Sequence, residues 1–258
     1  MSSSLSDIVS FFNQLLNIPS TPDYSGAMNG LQLENSGEIH SVVTAVDASE
    51  RAIQEAINLH AQLLIVHHGL FWSGMQMIAG PFYRKLKLAM DHDLAIYSAH
   101  LPLDIHPEIG NNALLARELG LFSLTPVMPW KGINLGLCGQ SHGSLADLVD
   151  RLGKAVEAPV QAFLRNGPEA SPGQVFVCTG GAGNELADAV AQGADTLVTG
   201  EGSHWTIPMA EELGVNLIYA GHYETETFGV RALGELATEQ WGLPCTHLNL
   251  PPQVYSAS

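Results

Sequence analysis

Two adjacent histidines, His67 and His68, stand where the apolar run Leu63 to Val66 gives way to Gly69. Further on, His100 is followed four residues later by Asp104, and His222 is followed at the same spacing by Glu226. Imidazole and carboxylate together form a donor set for a borderline or hard divalent ion such as zinc, iron or manganese. Neighbours on a strand point to opposite faces, yet a turn beside a glycine can bring both imidazoles to one side. His222 and Glu226 share a face if the chain turns into a helix there, because i and i+4 are helical neighbours. Each motif also has a plain structural alternative. The paired histidines could be hydrogen-bonded residues of core or surface, and each His/acid pair a capping histidine with a helix-start acid.

The elements that must position these residues occur twice. Val42 to Trp72 aligns without a gap on Val175 to Trp205, both reading as strand, turn, helix, strand and a Gly/His/Trp segment. IYSAHLPLD, from Ile96, aligns on IYAGHYETE, from Ile218, so the two His/acid pairs fall at equivalent places. Identities are few, and the register carries the comparison. The alternation of strands and helices predicts an α/β fold: two similar α/β lobes from an internal duplication, with largely parallel sheets. The expected lobes are residues 1–125 and 126–258. In such sheets ligands gather beyond the carboxyl ends of strands, where His67, His68, His100, Asp104, Glu201, His204, His222 and Glu226 all fall.

Other signals fill in the frame. Ser6 to Asn17 has the spacing of an amphipathic helix, stopped by Pro19 and Pro22, and Asp23 to Gly30 reads as a loop. Strands are expected at Val42 to Val46, Gln62 to Val66, Leu94 to Ser98, Val175 to Thr179, Thr196 to Thr199 and Asn216 to Tyr219. Helices are expected at Glu50 to His60, Asn111 to Leu119, Ser144 to Gly153, Asn184 to Gln192, Trp205 to Leu213 and Glu226 to Glu239. Gly180 to Gly183 follows a strand and opens a helix, which suits a tight turn better than a phosphate loop. Trp72 and Trp205 could stack on a base, but as repeat equivalents they read rather as packing residues.

Composition narrows the function classes. The 258 residues are 46 % hydrophobic, enough for a sizeable core, and carry a formal net charge of -16. That charge argues against a nucleic-acid backbone or an anionic membrane as partner, since both need a basic face. The 3 cysteines are far apart and form no C-x-x-C, as expected of free thiols in a reducing compartment. The first residues lack the basic start of a secretory signal, and no run is apolar enough to span a membrane, so a cytoplasmic protein is expected.

LIVHHGLFW, YSAHLPLD, GEGSHW and GHYETETFGV, with NGLQLE near the start, resemble the dinuclear-metal proteins known as GTP cyclohydrolase 1 type 2 homologues. The resemblance runs from about Ser6 to Leu250. It implies two divalent metal ions per chain (zinc, iron or manganese), with His67, His68, Asp104, His222 and Glu226 as ligands. It also implies two α/β lobes with the site in the cleft between them, the first supplying His67, His68 and Asp104 and the second His222 and Glu226. The chain resembles the short form, without the domain that longer members insert, and such proteins commonly assemble as a homohexameric ring. His100 would be a base or hydrogen-bond partner behind the ligands. Glu201 and His204, repeat counterparts of His68 and Phe71, would handle protons or substrate, and Glu224 would be a solvated neighbour.

The expected function is water activation by a metal pair against a small nucleotide-like or phosphorylated molecule. GTP ring opening is the activity that the resemblance implies. The alternative is a non-catalytic ring that stores, delivers or senses metal, or docks a protein partner.

Overall fold

The computed structural model describes residues 2–72 and 74–252. The chain divides into two compact units, Met1–Leu103 with Gly229–Ser258, and Asp104–Phe228.

The first unit holds the strands β1 (Ser3–Ser4), β2 (Gly30–Leu33), β3 (Glu38–Ile39), β4 (Val42–Asp47), β5 (Leu63–His68) and β6 (Ala95–Ser98). Its helices are α1 (Leu5–Leu15), α2 (Glu50–Asn58) and α3 (Gly80–Asp91), and a four-residue helix, α4 (Leu101–Asp104), crosses into the second unit. The second unit continues with α5 (Asn111–Glu118), β7 (Phe122–Trp130), β8 (Ile133–Gln140), α6 (Leu145–Val156), β9 (Gln161–Phe163) and β10 (Gln174–Val177). It goes on through α7 (Leu186–Ala191), β11 (Thr196–Thr199), α8 (Thr206–Leu213), β12 (Asn216–Tyr219) and α9 (His222–Thr225). The long α10 (Thr227–Trp241) leads back to the first unit, which closes with β13 (Cys245–His247).

In the first unit a five-stranded sheet has the order β13-β4-β5-β6-β2, with β13, β4, β5 and β6 parallel and β2 antiparallel. Strands β4 and β5 are almost wholly buried, which explains why they read as continuous apolar runs rather than alternating ones. Val43, Ala45, Leu64, Val66 and Ile96 face a core shared with Ile53 of α2 and Phe82 and Leu86 of α3. Ser49 caps α2 by accepting a hydrogen bond from the Ala52 amide. The opening helix buries Leu5, Ile8 and Phe12, with Phe12 against Tyr97 of β6 and against Trp241 at the end of α10.

The second unit has a six-stranded sheet of order β7-β8-β10-β11-β12-β9, in which only β10, β11 and β12 run parallel to one another. Val175, Val177, Val198 and Ile218 pack on α5 and α6, while Phe176, Leu197 and Leu217 pack on α7 and α8. The period of two across β10 thus feeds two cores. Helix α6 starts from the expected Ser144, which forms a full capping box with Asp147.

Both units therefore contain a three-strand parallel core in sequential order, consistent with an internal duplication, and antiparallel strands extend each sheet. The division differs from the expected break at 125/126. Helix α5 packs in the second core through Leu115 and Ala116, and β13 pairs with β4 of the first sheet. The chain thus leaves the first unit earlier than the repeat suggested and returns to it at the end. Asp104, expected in the first lobe, accordingly belongs to the second unit.

Candidate metal centre

Parallel strands bring their carboxyl ends to one edge of a sheet, and in the first unit that edge carries histidines. His67 and His68 end β5, and His100 lies two residues beyond β6. All three are buried, and their ring centroids lie 4.8 Å (His67–His68), 4.9 Å (His67–His100) and 5.7 Å (His68–His100) apart. Each can offer one ligand atom such that the three atoms lie within 4.8 Å of one another. Both members of the His67-His68 pair thus join one cluster despite being neighbours on a strand.

Each ring is anchored at Nδ1 by an oxygen. His67 Nδ1 lies 2.8 Å from the Ala99 carbonyl, His68 Nδ1 lies 2.9 Å from Asp47 Oδ1, and His100 Nδ1 lies 2.8 Å from Asp23 Oδ1. An oxygen acceptor at Nδ1 draws the proton there and leaves Nε2 as the lone-pair donor, the arrangement that supports metal-ligating histidines.

Asp23 is itself well braced. Its other oxygen accepts hydrogen bonds from Asn29 Nδ2 at 2.7 Å and from the Leu101 amide at 3.0 Å, while Asn29 Oδ1 accepts from the His100 amide at 2.7 Å. Burial would raise the Asp23 pKa, but the His100 imidazole and the Asn29 and Tyr24 donors outweigh it and hold the carboxyl below its usual value. Behind His68, the Gln32 carboxamide accepts from the Leu70 amide and donates to the Ala27 and Met28 carbonyls. A side chain at Gly69 would collide with that carboxamide.

In the second unit the strand ends carry acids and one histidine. His222 opens α9, and the turn brings its Nε2 to 3.2 Å from Glu226 Oε1, as the i, i+4 spacing predicted. Its Nδ1 lies 2.8 Å from Glu201 Oε1, just past β11. Burial opposes the imidazolium, but the Glu226 and Glu201 carboxylates outweigh it and raise the pKa to about 9. Asp104 Oδ1 accepts from Asn111 Nδ2 at 2.7 Å and from Thr179 Oγ1 at 3.3 Å. Asp104 and Glu226 are 7 % and 3 % exposed, and each can place an oxygen within 4.8 Å of the other's. Two buried carboxylates this close repel each other unless positive charge is supplied. The His222 imidazolium against Glu226 supplies part of that charge, and a divalent cation fits the same oxygen and imidazole donors.

Several weaker sequence readings are now decided. In the loop 180–183, the Gly180 amide donates to Thr225 Oγ1, the Ala182 amide to Thr199 Oγ1 and the Gly183 amide to the Glu201 carbonyl. With those donors committed inward it is a turn rather than a phosphate cradle. Gly180 has φ +71°, and a Cβ there would strike Glu226 Oε1, so glycine is what lets the carboxylate approach. Glu201 is paired with His222 rather than standing open, although its side chain is 64 % exposed. His204 is exposed in the turn before α8, and among the described residues no hydrogen bond joins its ring to His222 or Glu226. Trp72 and Trp205 are 40 % and 47 % exposed; Trp72 nonetheless packs on the His68 and His100 rings.

Sequence reading missed Asp23, Asn29, Asp47, Asn111 and Thr179. Asp47 closes the apolar strand VVTAVD, and an acid at that end was a usable signal. Asp23 and Asn29 reach His100, and Thr179 reaches Asp104, through contacts distant in sequence, whereas Asn111 meets Asp104 seven residues away with no periodic signal to mark the pair.

The model of the Duf34/NIF3 (NGG1p interacting factor 3) family matches residues 3–252. The chain belongs to this family. A Deinococcus radiodurans protein named GTP cyclohydrolase 1 type 2 homolog is 40 % identical over 247 residues, 95 % of this chain and 92 % of that protein. Among solved structures, protein ybgI, titled as of unknown function, superposes with a TM-score of 0.88 at 35 % identity, covering 97 % of this chain and 99 % of that one. TTHA1606 from Thermus thermophilus gives 0.85 at 36 % identity, covering 98 % and 100 %. Most of the Duf34/NIF3 chain is therefore matched, and its α/β fold is that of these relatives. No helix among its described residues is long and apolar enough to cross a membrane.

Proposed function

We propose that this Duf34/NIF3 protein is a metal-dependent hydrolase acting on a small nucleotide-like or phosphorylated substrate. In this reading His67, His68, Asp104, His222 and Glu226 hold two divalent ions per chain, zinc, iron or manganese. The observation that carries it is the presence of Nδ1-anchored histidines together with the buried Asp104 and Glu226 carboxylates, a set built for cations rather than for packing. When bound, such ions supply Lewis acidity that activates water. His100, braced by Asp23, handles protons beside His67 and His68, Glu201 orients His222, and His204 meets substrate from its exposed turn. The relatives' names point to GTP ring opening as the activity to assay first. The working form is a cytoplasmic homohexameric ring, and the free cysteines suit that compartment.

The second reading is a non-catalytic metal-binding or regulatory ring that stores, delivers or senses metal or docks a protein partner. The engagement of Glu201 with His222 favours it, since that acid then serves the ligand rather than a substrate.

The test is metal content per chain by plasma mass spectrometry for wild type and Asp104→Ala, with GTP and phosphoester turnover measured on the reloaded protein. About two ions in wild type, fewer in the variant, and turnover that follows metal content are expected. Metal without turnover of any substrate leaves the second reading; no metal after reloading overturns both.

A further inference from the structure

A tryptophan beside a histidine cluster can be part of the core or part of the binding surface, and exposure distinguishes the two. The Trp72 ring lies 4.8 Å from the His68 ring at 33° and 4.3 Å from the His100 ring at 58°. On its other flank Tyr24 approaches edge-on, with centroids 6.4 Å apart at 85°, and Tyr24 also lies 6.0 Å from His100. Yet Trp72 remains 40 % exposed and Tyr24 49 %. By contrast, Trp205 makes no ring contact among the described residues.

This exposed aromatic surface is held in place from beneath. A Cβ on Gly26 would lie 2.8 Å from the Trp72 carbonyl and 2.9 Å from that of Phe71, so the loops carrying Tyr24 and Trp72 touch backbone to backbone. The Tyr24 loop is fixed to the histidine cluster at both ends, by Asp23 on His100 and by Asn29 on the His100 amide. Two half-exposed aromatic rings on an immobilised seat, one leaning on the candidate ligand histidines, keep a π-face open at small entropic cost.

We propose that Trp72, flanked by Tyr24, stacks on a planar heteroaromatic ring of the substrate, so that the site selects molecules carrying a nucleobase or a similar ring over simple sugar phosphates. This rests on the reading of the histidine cluster as the reaction site, but it concerns binding and does not require turnover. Trp72 is a specificity residue in this assignment and leaves the chemistry to its neighbours.

The test is isothermal titration of the metal-loaded full chain with the four common nucleoside 5′-monophosphates and with ribose 5-phosphate, which has the phosphate but no ring. Wild type should bind at least one of the nucleotides roughly tenfold or more tightly than ribose 5-phosphate, the range of base–aromatic stacking. Trp72→Ala at matched metal content should lose most of that margin without weakening ribose 5-phosphate, and Trp72→Phe should restore most of it. Circular dichroism checks that the variants are folded, as the exposure of Trp72 leads one to expect. Nucleotides that bind no better than ribose 5-phosphate, or not at all, overturn the proposal, as does full nucleotide affinity in Trp72→Ala. Ring-dependent binding without turnover of any substrate would sustain the stacking surface and remove only the hydrolase reading.

Discussion

His247 offers a perturbation outside the candidate centre whose size can be worked out. It ends β13, its Nδ1 lies 2.9 Å from Thr44 Oγ1, and its Nε2 is buried with no hydrogen-bond partner among the described residues. Burial, aided by the Arg231 guanidinium, lowers its pKa from 6.5 to about 4. Glu235 and Glu239 border the same pocket without reversing that balance. The folded protein thus resists protonating this imidazole while the unfolded chain accepts the proton, so stability falls as pH drops from about 6.5 toward 4. Single-site linkage with these folded and unfolded values gives a loss of about 2 kcal/mol at pH 5 relative to pH 7.5. His247→Asn keeps an acceptor near the Thr44 hydroxyl and removes the titration. Urea unfolding of the full chain at both pH values is followed by fluorescence and circular dichroism, because two units can unfold separately. Wild type should lose about 2 kcal/mol more than the variant. Equal acid losses in the two proteins, within about 0.5 kcal/mol, would refute the claim that the imidazole is held neutral.

Three further outcomes follow from the site's scaffold. Asp23→Asn removes a buried carboxylate that anchors His100, and should cost about 2–3 kcal/mol in urea unfolding and weaken metal binding about tenfold in a chelator competition. Because the Asp23 pKa is lowered, the advantage of wild type should hold above about pH 4 and fade in stronger acid. Gly26→Ala drives a methyl into two backbone carbonyls and should destabilise by about 1–3 kcal/mol, read as a lower urea midpoint with an unchanged slope. Chelation of metal-loaded protein should lower the unfolding free energy by about 2.7 kcal/mol if the free ion had stood at a hundred times its dissociation constant. An unmoved midpoint would show that the bound ion does not favour the folded state.

What was legible in the sequence was what short-range periodicity encodes. The strand runs at Val42 and Val175, the Ser144 helix start and the His222/Glu226 turn all depend on residues within one element, and all were found. Helix α3 was passed over although Pro81 stands in its first turn, a good starting signal. Its apolar residues Phe82, Leu86 and Ala89 are interleaved with basic and polar ones that mask the stripe. Strand β7 was missed because most of it is exposed, so no buried alternation marks it. The three-residue β9 and β13 are too short to show a period, and they are held by pairing with distant strands. The same rule separates the site residues: ligand candidates announced themselves by type and spacing, whereas Asp23 meets His100 only after the chain has folded.

That distinction bears on what the centre is for. His67, His68 and His100 each have Nδ1 engaged by an oxygen, two of them by carboxylates from other segments, Asp47 and Asp23. A ring held at one nitrogen has its tautomer and direction fixed at the other, and fixing three of them requires several loops to be ordered around them. Loose cation scavenging needs only acidic groups at the surface, which this chain has in excess. Oriented imidazoles raise affinity and restrict coordination geometry together, a combination suited to holding an ion in place while something else is bound beside it. The half-exposed rings of Tyr24 and Trp72 lie at the border of the histidine cluster and are the surface proposed for that second molecule. A centre built only to store metal would have no need to keep such an apolar face in water.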